Sequence, residues 1–245
     1  LISKIDIFSL KLFIQVTIIP LHHYLSVDMS EQTLPILYSF RRCPYAMRAR
    51  MALTLSQTNV EIRELILKNK PAEMLLVSPK GTVPVLIANN GQVIEESLEV
   101  MDYAVTHGVN STLKTPSSEE LSLIAENDNV FKANLDKYKY FDRFPEYTQQ
   151  DYRADGEVFL QQLEHRLITQ DFLFGNNQSY GDIAIFPFVR QFAHVDKAWF
   201  DGADYPHLKK WLDNFLQSSA FLNVMKKVPC WQTGDAPTYF PFSEE

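Results

Sequence analysis

The stretch Pro35-Ile36-Leu37-Tyr38-Ser39-Phe40-Arg41-Arg42-Cys43-Pro44-Tyr45-Ala46 decides how the first half of the chain folds. Its opening six residues form a short, largely apolar run suited to a buried strand. Pro44 has no backbone N–H and fits the first position of a helix, where that donor has no partner anyway. Residues 45–57 continue through Ala, Met, Arg and Leu without a breaker. The local reading is strand, tight turn and helix, with Cys43 at the helix N-cap.

Working outward, residues 60–65 read as a strand and 71–77 as a short helix. Lys80-Gly81-Thr82-Val83-Pro84 turns into a third strand, and Asn89-Asn90-Gly91 signals a hairpin into a fourth at 92–95. Residues 97–107 are helical, with Leu98, Met101 and Val105 on one face. The order β-α-β-α-β-β-α is a thioredoxin-like arrangement whose first three elements form a βαβ unit. Gly108-Val109-Asn110-Ser111-Thr112 and Pro116-Ser117-Ser118 then read as a linker. Beyond it no segment looks like a strand. Helical spacing recurs at 118–140, 148–169, 207–216 and 220–227, and Ser179-Tyr180-Gly181-Asp182 is a capping box opening a helix to about residue 194. Pro187 is expected to kink that helix. The expected architecture is α/β followed by all-α: a thioredoxin-like domain at 29–108, a linker at 109–117 and a helical domain at 118–245.

The composition narrows the function. With 46% hydrophobic and 22% charged residues, the chain is an ordinary globular protein. Its formal net charge of −7 argues against general nucleic-acid binding. The charge is uneven: residues 29–111 carry 8 basic and 8 acidic side chains, whereas 112–245 carry 13 and 20. The two cysteines, Cys43 and Cys230, are too few for a disulfide framework or a cysteine zinc site, and the histidines show no metal spacing. A reducing, cytoplasmic location is expected, with no metal. Residues 1–28 contain an apolar run at 12–19, too short to span a bilayer. It lacks the small residues of a signal-peptide cleavage site. We read this segment as upstream sequence, with Met29 the natural start; the alternative is a membrane-surface anchor.

Several strings together resemble the glutathione transferase superfamily, in its bacterial omega-like, cysteine-type branch. Cys43-Pro44-Tyr45-Ala46 is similar to the active-site tetrapeptide of the omega class. Leu67-Lys68-Asn69-Lys70-Pro71 resembles the segment before that class's second helix. Thr82-Val83-Pro84-Val85-Leu86 resembles the loop with a cis-proline, and Glu96-Ser97 the acidic-serine pair that holds glutathione. Phe174-Gly175-Asn176 and Ile185-Phe186-Pro187-Phe188 are similar to the core of the family's helical domain. The resemblance covers about residues 34–227.

The resemblance implies glutathione as co-substrate and assigns roles by position. Cys43 would be the catalytic nucleophile. Val83 would pair its backbone with the cysteinyl part of glutathione beside cis Pro84. Glu96 and Ser97 would meet the γ-glutamyl end, Lys70 the glycyl carboxylate, and Tyr45 would pack beside the ligand. Tyr138, Tyr140, Phe188, Arg190 and Trp231 would form the second-substrate pocket, although aromatics at such spacing are commonly core. A homodimer is implied as well. Tyr38, on the strand, reads as core, and Cys230 as a bystander.

The residues themselves supply a chemical reason for Cys43. A thiol at a helix N-terminus meets unpaired N–H groups and the positive end of the dipole, which favour thiolate. Arg41, Arg42, Arg48 and Arg50 lie within ten residues that contain no acid, although individually they read as solvated surface charges. Position 46 is Ala, so the motif has no resolving thiol and the second thiol must come from outside. The leading expectation is a glutathione-dependent thiol transferase or reductase, of dehydroascorbate-reductase type, working through a Cys43–glutathione mixed disulfide on a small disulfide. The alternatives are a transferase that conjugates glutathione to small electrophiles, and a non-enzymatic regulatory or membrane-associated relative.

Overall fold

A computed structural model describes residues 34–109 and 111–243, so the reading of residues 1–28 and of Met29 as the start lies outside the described residues. The first domain is built from β1 (Ile36–Ser39), α1 (Pro44–Leu55), β2 (Val60–Glu64), α2 (Ala72–Val77), β3 (Val85–Ile87), β4 (Val93–Ile94) and α3 (Ser97–His107). β1 runs parallel to β2, with Leu37 opposite Ile62, and antiparallel to β3, with Leu37 opposite Leu86. β4 pairs antiparallel with β3. Pro44 occupies the first turn of α1 as its chemistry requires, and Cys43 is the N-cap in an extended conformation. Helices α1 and α3 pack together, with Ala49 and Ala52 on one and Met101 and Ala104 on the other all shielded from solvent.

The helices that follow are α4 (Ser118–Glu126), α5 (Lys132–Lys139), α6 (Gln149–Leu167), α7 (Tyr180–Ala193), α8 (Lys197–Gly202), α9 (Pro206–Gln217) and α10 (Ser219–Val224). Ser117, Thr148 and Ser179 each cap the next helix with a reciprocal box. Buried from Tyr180 through Val189, α7 is apolar on every side over residues 183–189, as a helix at the centre of a domain must be. Asp182 in its first turn is fully buried. Its carboxylate accepts the Leu173 N–H at 2.9 Å, the Ser179 hydroxyl at 2.6 Å and the Trp211 indole N–H at 2.8 Å. At Gly156 of α6 a β-carbon would come within 2.4 Å of the Phe192 ring, so the α6–α7 approach depends on hydrogen at that position.

Three features depart from the sequence reading. The helix expected over 118–140 contains a wider π-helical turn at Asn127–Phe131, which buries Asn127 and Phe131. α8 was not anticipated, since six residues show little periodicity. The last departure is that the tail after α10 is not part of the helical layer. Its Trp231 N–H donates to the Glu64 carbonyl, the Thr238 carbonyl accepts from Ile62, and β5 (Tyr239–Phe240) pairs antiparallel with β2. The sheet order is therefore β4-β3-β1-β2-β5. A two-residue strand carries no pattern of its own; it forms because β2 would otherwise present an unpaired edge.

Candidate active site

The site is built where the β1–α1 turn meets the loop before β3. The Cys43 N–H donates to the Phe40 carbonyl at 3.0 Å, closing the turn, and the Cys43 carbonyl accepts the first helical bond from Met47. The Cys43 thiol donates to the Val83 carbonyl at 3.7 Å, directly before the cis Val83–Pro84 bond.

The electrostatics of this thiol correct the expectation of an activated thiolate. Burial pushes the Cys43 pKa above its ordinary value, and desolvation is the dominant cause. The N–H groups of Ala46 and Tyr45, and the more distant charges of Arg50 and Lys132, pull the other way without prevailing. The arginines fail to prevail because two of them are engaged elsewhere. Arg48 and Arg50 are 2% and 1% exposed, not the solvated surface charges their sequence suggests. The Arg50 guanidinium donates to the Arg41 carbonyl at 2.6 Å and the Ser39 hydroxyl at 3.1 Å, and lies 3.6 Å from the Glu64 carboxylate. Glu64 in turn accepts the Arg41 backbone N–H at 2.7 Å. Burial lowers the Arg50 pKa to about 10, leaving it charged at neutral pH. This buried group of contacts clamps the turn that carries Cys43.

One cleft, of about 590 Å³, brings Tyr45, Val83, Pro84, Glu96 and Ser97 together, five of the six residues expected around glutathione. Lys70 is not in its lining; Lys80 is, and it pairs with Glu96. Tyr45 packs edge-on against Phe188 with ring centres 4.9 Å apart. Arg48, marked in the sequence only as one of four charges near Cys43, and Asp128, which nothing there singles out, also line this cleft. The Arg48 Nε donates to the Ser97 hydroxyl at 3.0 Å, and its two terminal nitrogens meet the two Asp128 oxygens at 2.9 and 2.8 Å. The sequence marks Arg48 only as one of the four arginines close to Cys43. Asp128 lies 80 residues away on the π turn, and nothing local marks it.

A second cleft, of about 830 Å³, borders Cys43 itself. Tyr140 and Arg190, two of the five residues expected in a second-substrate pocket, line it together with Arg41, Arg42 and Lys139. Tyr138 and Phe188 do not: both are fully buried, Tyr138 packed on Phe192 and Phe188 under Tyr45. Trp231 is displaced further, because the tail runs along β2. There it meets Tyr38 edge-on at 6.1 Å and lies 4.3 Å beneath the Arg63 guanidinium. Tyr38 is buried in the core. Cys230 is a free, exposed thiol.

A thioredoxin-like domain joined to a helical domain, with a thiol and two clefts at their meeting, defines a class of two-domain thiol-handling proteins. Residues 37–107 match the family described as Glutathione S-transferase, N-terminal domain, and residues 117–219 match Glutathione S-transferase, C-terminal domain. The chain belongs to the glutathione S-transferase family. Its similarity within that family is to the omega class. Glutathione S-transferase omega-1 of Rattus norvegicus is 40% identical over 67 residues, which is 27% of this chain and 28% of that relative. The alignment thus spans just over a quarter of each protein. A glutathione transferase family member from Pseudomonas fluorescens, solved with two glutathione bound, superposes with a TM-score of 0.68 at 18% identity, covering 81% of this chain and 95% of that one. Glutathione transferase Omega 3C from Trametes versicolor superposes with a TM-score of 0.66, also at 18% identity, covering 78% and 83%. These likenesses carry the fold. Among the described residues no helix is long and apolar enough to cross a membrane.

Proposed function

We propose that the chain is a glutathione-dependent thiol transferase in which Cys43 forms a mixed disulfide with glutathione. The observation that carries the reading is the position of the Cys43 sulfur. It borders one cleft directly and contacts Val83, which lines the other. Glutathione would lie in the smaller cleft. Its γ-glutamyl ammonium would meet Glu96, its carboxylate would meet Ser97 at the N-terminus of α3, and its cysteinyl backbone would lie along Val83. A neighbour of the same fold solved with two glutathione bound supports glutathione as the ligand.

In this reaction the Cys43 thiolate attacks the glutathionyl sulfur of a mixed disulfide. A Cys43–glutathione bond forms, the original S–S bond breaks, and the leaving thiolate takes a proton from water. The thiolate of a second glutathione then attacks Cys43–glutathione, releasing glutathione disulfide and restoring Cys43. Loss of the Cys43 proton precedes the first attack, and burial makes that proton harder to lose.

That same observation favours a second reading. A protonated Cys43 can donate a hydrogen bond to the thiolate of glutathione, the role a conjugating transferase requires. Cys43→Ser separates the two. Loss of glutathione-dependent disulfide reduction with retained glutathione binding supports thiol transfer; full reductase activity in the serine variant excludes it. Preserved or increased conjugation to an aryl halide supports the second reading. The family resemblance also leads us to infer a homodimer, which a sedimentation mass of one chain at micromolar concentration would contradict.

A further inference from the structure

The cleft that borders Cys43 reverses the charge of the molecule around it. The chain carries a net charge of −7, yet Arg41, Arg42, Lys139 and Arg190 all line this cleft and no carboxylate does. None of the four forms a salt bridge to another described residue. Arg42 lies over the Phe40 ring at 5.4 Å, Lys139 over Tyr140 at 5.0 Å and Arg190 over Phe221 at 5.6 Å. A terminal nitrogen of Arg41 reaches the Met225 carbonyl at 3.5 Å. The acid nearest this turn, Glu64, is engaged by Arg50 and by the Arg41 backbone.

Arg190 carries the argument further. Its Nε is buried without a hydrogen-bond partner, and burial beside Arg41 lowers its pKa. A half-buried guanidinium whose Nε has no partner is costly, and an incoming oxyanion would relieve that cost. The planar fork of arginine suits a carboxylate, and a concave wall of one sign concentrates counter-ions. We propose that this cleft selects a carboxylate-bearing second substrate: the half of the disulfide that is not glutathione carries its own carboxylate, which meets Arg190 and the Arg41–Arg42 turn. The proposal rests on the thiol-transfer reading for its reacting sulfur. The released product is then a carboxylate-bearing thiol, with the bond changes as given above. The preference of the cleft for anions does not depend on turnover and can be read without it.

The test compares alkylation of Cys43 by iodoacetate and by iodoacetamide, quantified on the Cys43 peptide by mass spectrometry because the exposed Cys230 also reacts. The iodoacetate-to-iodoacetamide rate ratio should exceed that of 2-mercaptoethanol by roughly tenfold at low salt. It should collapse towards that reference in 1 M NaCl, where the screening length is about 3 Å. Arg190→Met should lower the ratio. Should that half-buried variant fail to fold, Lys139→Gln and Arg42→Gln, both at exposed positions, should lower it in part. A wild-type ratio equal to the small-thiol reference overturns the proposal.

A second arm follows turnover of glutathione mixed disulfides with 3-mercaptopropionate, 2-mercaptoethanol and cysteamine. Rates should fall in that order, although cysteamine, whose ammonium lowers its thiol pKa, is intrinsically the best leaving group of the three. A rate order following leaving-group ability also overturns the anion preference. A high alkylation ratio with no turnover of any of the three would leave the anion cleft standing and remove the thiol-transfer reading instead.

Discussion

The Arg48 guanidinium and the Asp128 carboxylate meet through two parallel bonds of 2.9 and 2.8 Å, joining α1 of the first domain to the π turn of the second. The third Arg48 contact, from Nε to the Ser97 hydroxyl at 3.0 Å, brings the N-terminus of α3 into the same group. Asn127, buried beside them, donates to Asp128 at 2.8 Å. A straight α-helix through residues 126–132 would space these side chains differently. A π turn widens the helix locally, and such turns are frequent at functional sites. Ser97, expected to hold the carboxylate end of glutathione, is therefore oriented by an ion pair that crosses between domains.

Arg48→Met should lower stability and weaken glutathione binding together. The arginine is fully buried, while the Asp128 side chain keeps 21% exposure, so the loss should be below that of a fully buried pair, at about 2–3 kcal/mol. Asp128→Asn, which keeps a polar group facing Arg48, should lose less. Chemical denaturation and glutathione titration check both. Unchanged affinity in a folded Arg48→Met protein would show that Ser97 needs no such support.

Glu96→Ala and Ser97→Ala test the cleft from the ligand side. On the proposed placement each removes a partner for a charged group of glutathione, and such bonds contribute about 1.5–3 kcal/mol, or roughly 10- to 150-fold in affinity. Glu96 is exposed and tied to Lys80. Its removal should leave the melting temperature nearly unchanged while binding falls. Normal binding by calorimetry in either variant would remove that residue from the site.

Asp182→Ala should act on folding alone. It deletes the acceptor for the Leu173 N–H, the Ser179 hydroxyl and the Trp211 indole inside the core. Leaving several buried donors unpaired costs about 3–5 kcal/mol. The expected result is a lower urea midpoint with an unchanged slope. A loss below about 1 kcal/mol would mean that water replaces the carboxylate at these donors.

The first domain was legible because each of its signals is local. Pro44 fixes a helix start, Asn89-Asn90-Gly91 fixes a hairpin, and residues 97–107 carry one apolar stripe that became α3. Where the reading went astray, partners distant in sequence decide the outcome. β5 exists because β2 offers an edge 180 residues earlier, and that course of the tail carries Trp231 away from Tyr140 and Arg190. Tyr138 and Phe188 share their helices with residues that do reach the clefts, and only packing tells which side faces inward. The four arginines near Cys43 looked alike in sequence. Two proved buried because Glu64 and Asp128 come to meet them, and no spacing rule announces that.

The ionisation of Cys43 gives the sharpest check on the site, because the helix terminus and the desolvation of the thiol push in opposite directions. Burial prevails in the free protein, so the alkylation rate at Cys43 should titrate with a midpoint above the ordinary cysteine value of about 8.5. Through neutral pH the thiolate is then a minor species, and the rate should climb about tenfold per pH unit. The stability consequence has a definite sign. A thiol whose folded pKa exceeds its unfolded pKa holds its proton longer in the folded state, so its contribution is intact below the unfolded value and declines as pH rises beyond it. Wild-type protein should therefore lose stability relative to Cys43→Ser as pH increases above about 8.5. Charge reversal of the surroundings should move the midpoint predictably: Lys132→Glu should raise it, since Lys132 is one of the cations that favour thiolate. Iodoacetamide kinetics between pH 6 and 10, read on the Cys43 peptide, make the measurement. A plateau already reached at pH 7 would show that the N–H groups of Tyr45 and Ala46 outweigh burial, and that Cys43 is a preformed thiolate after all.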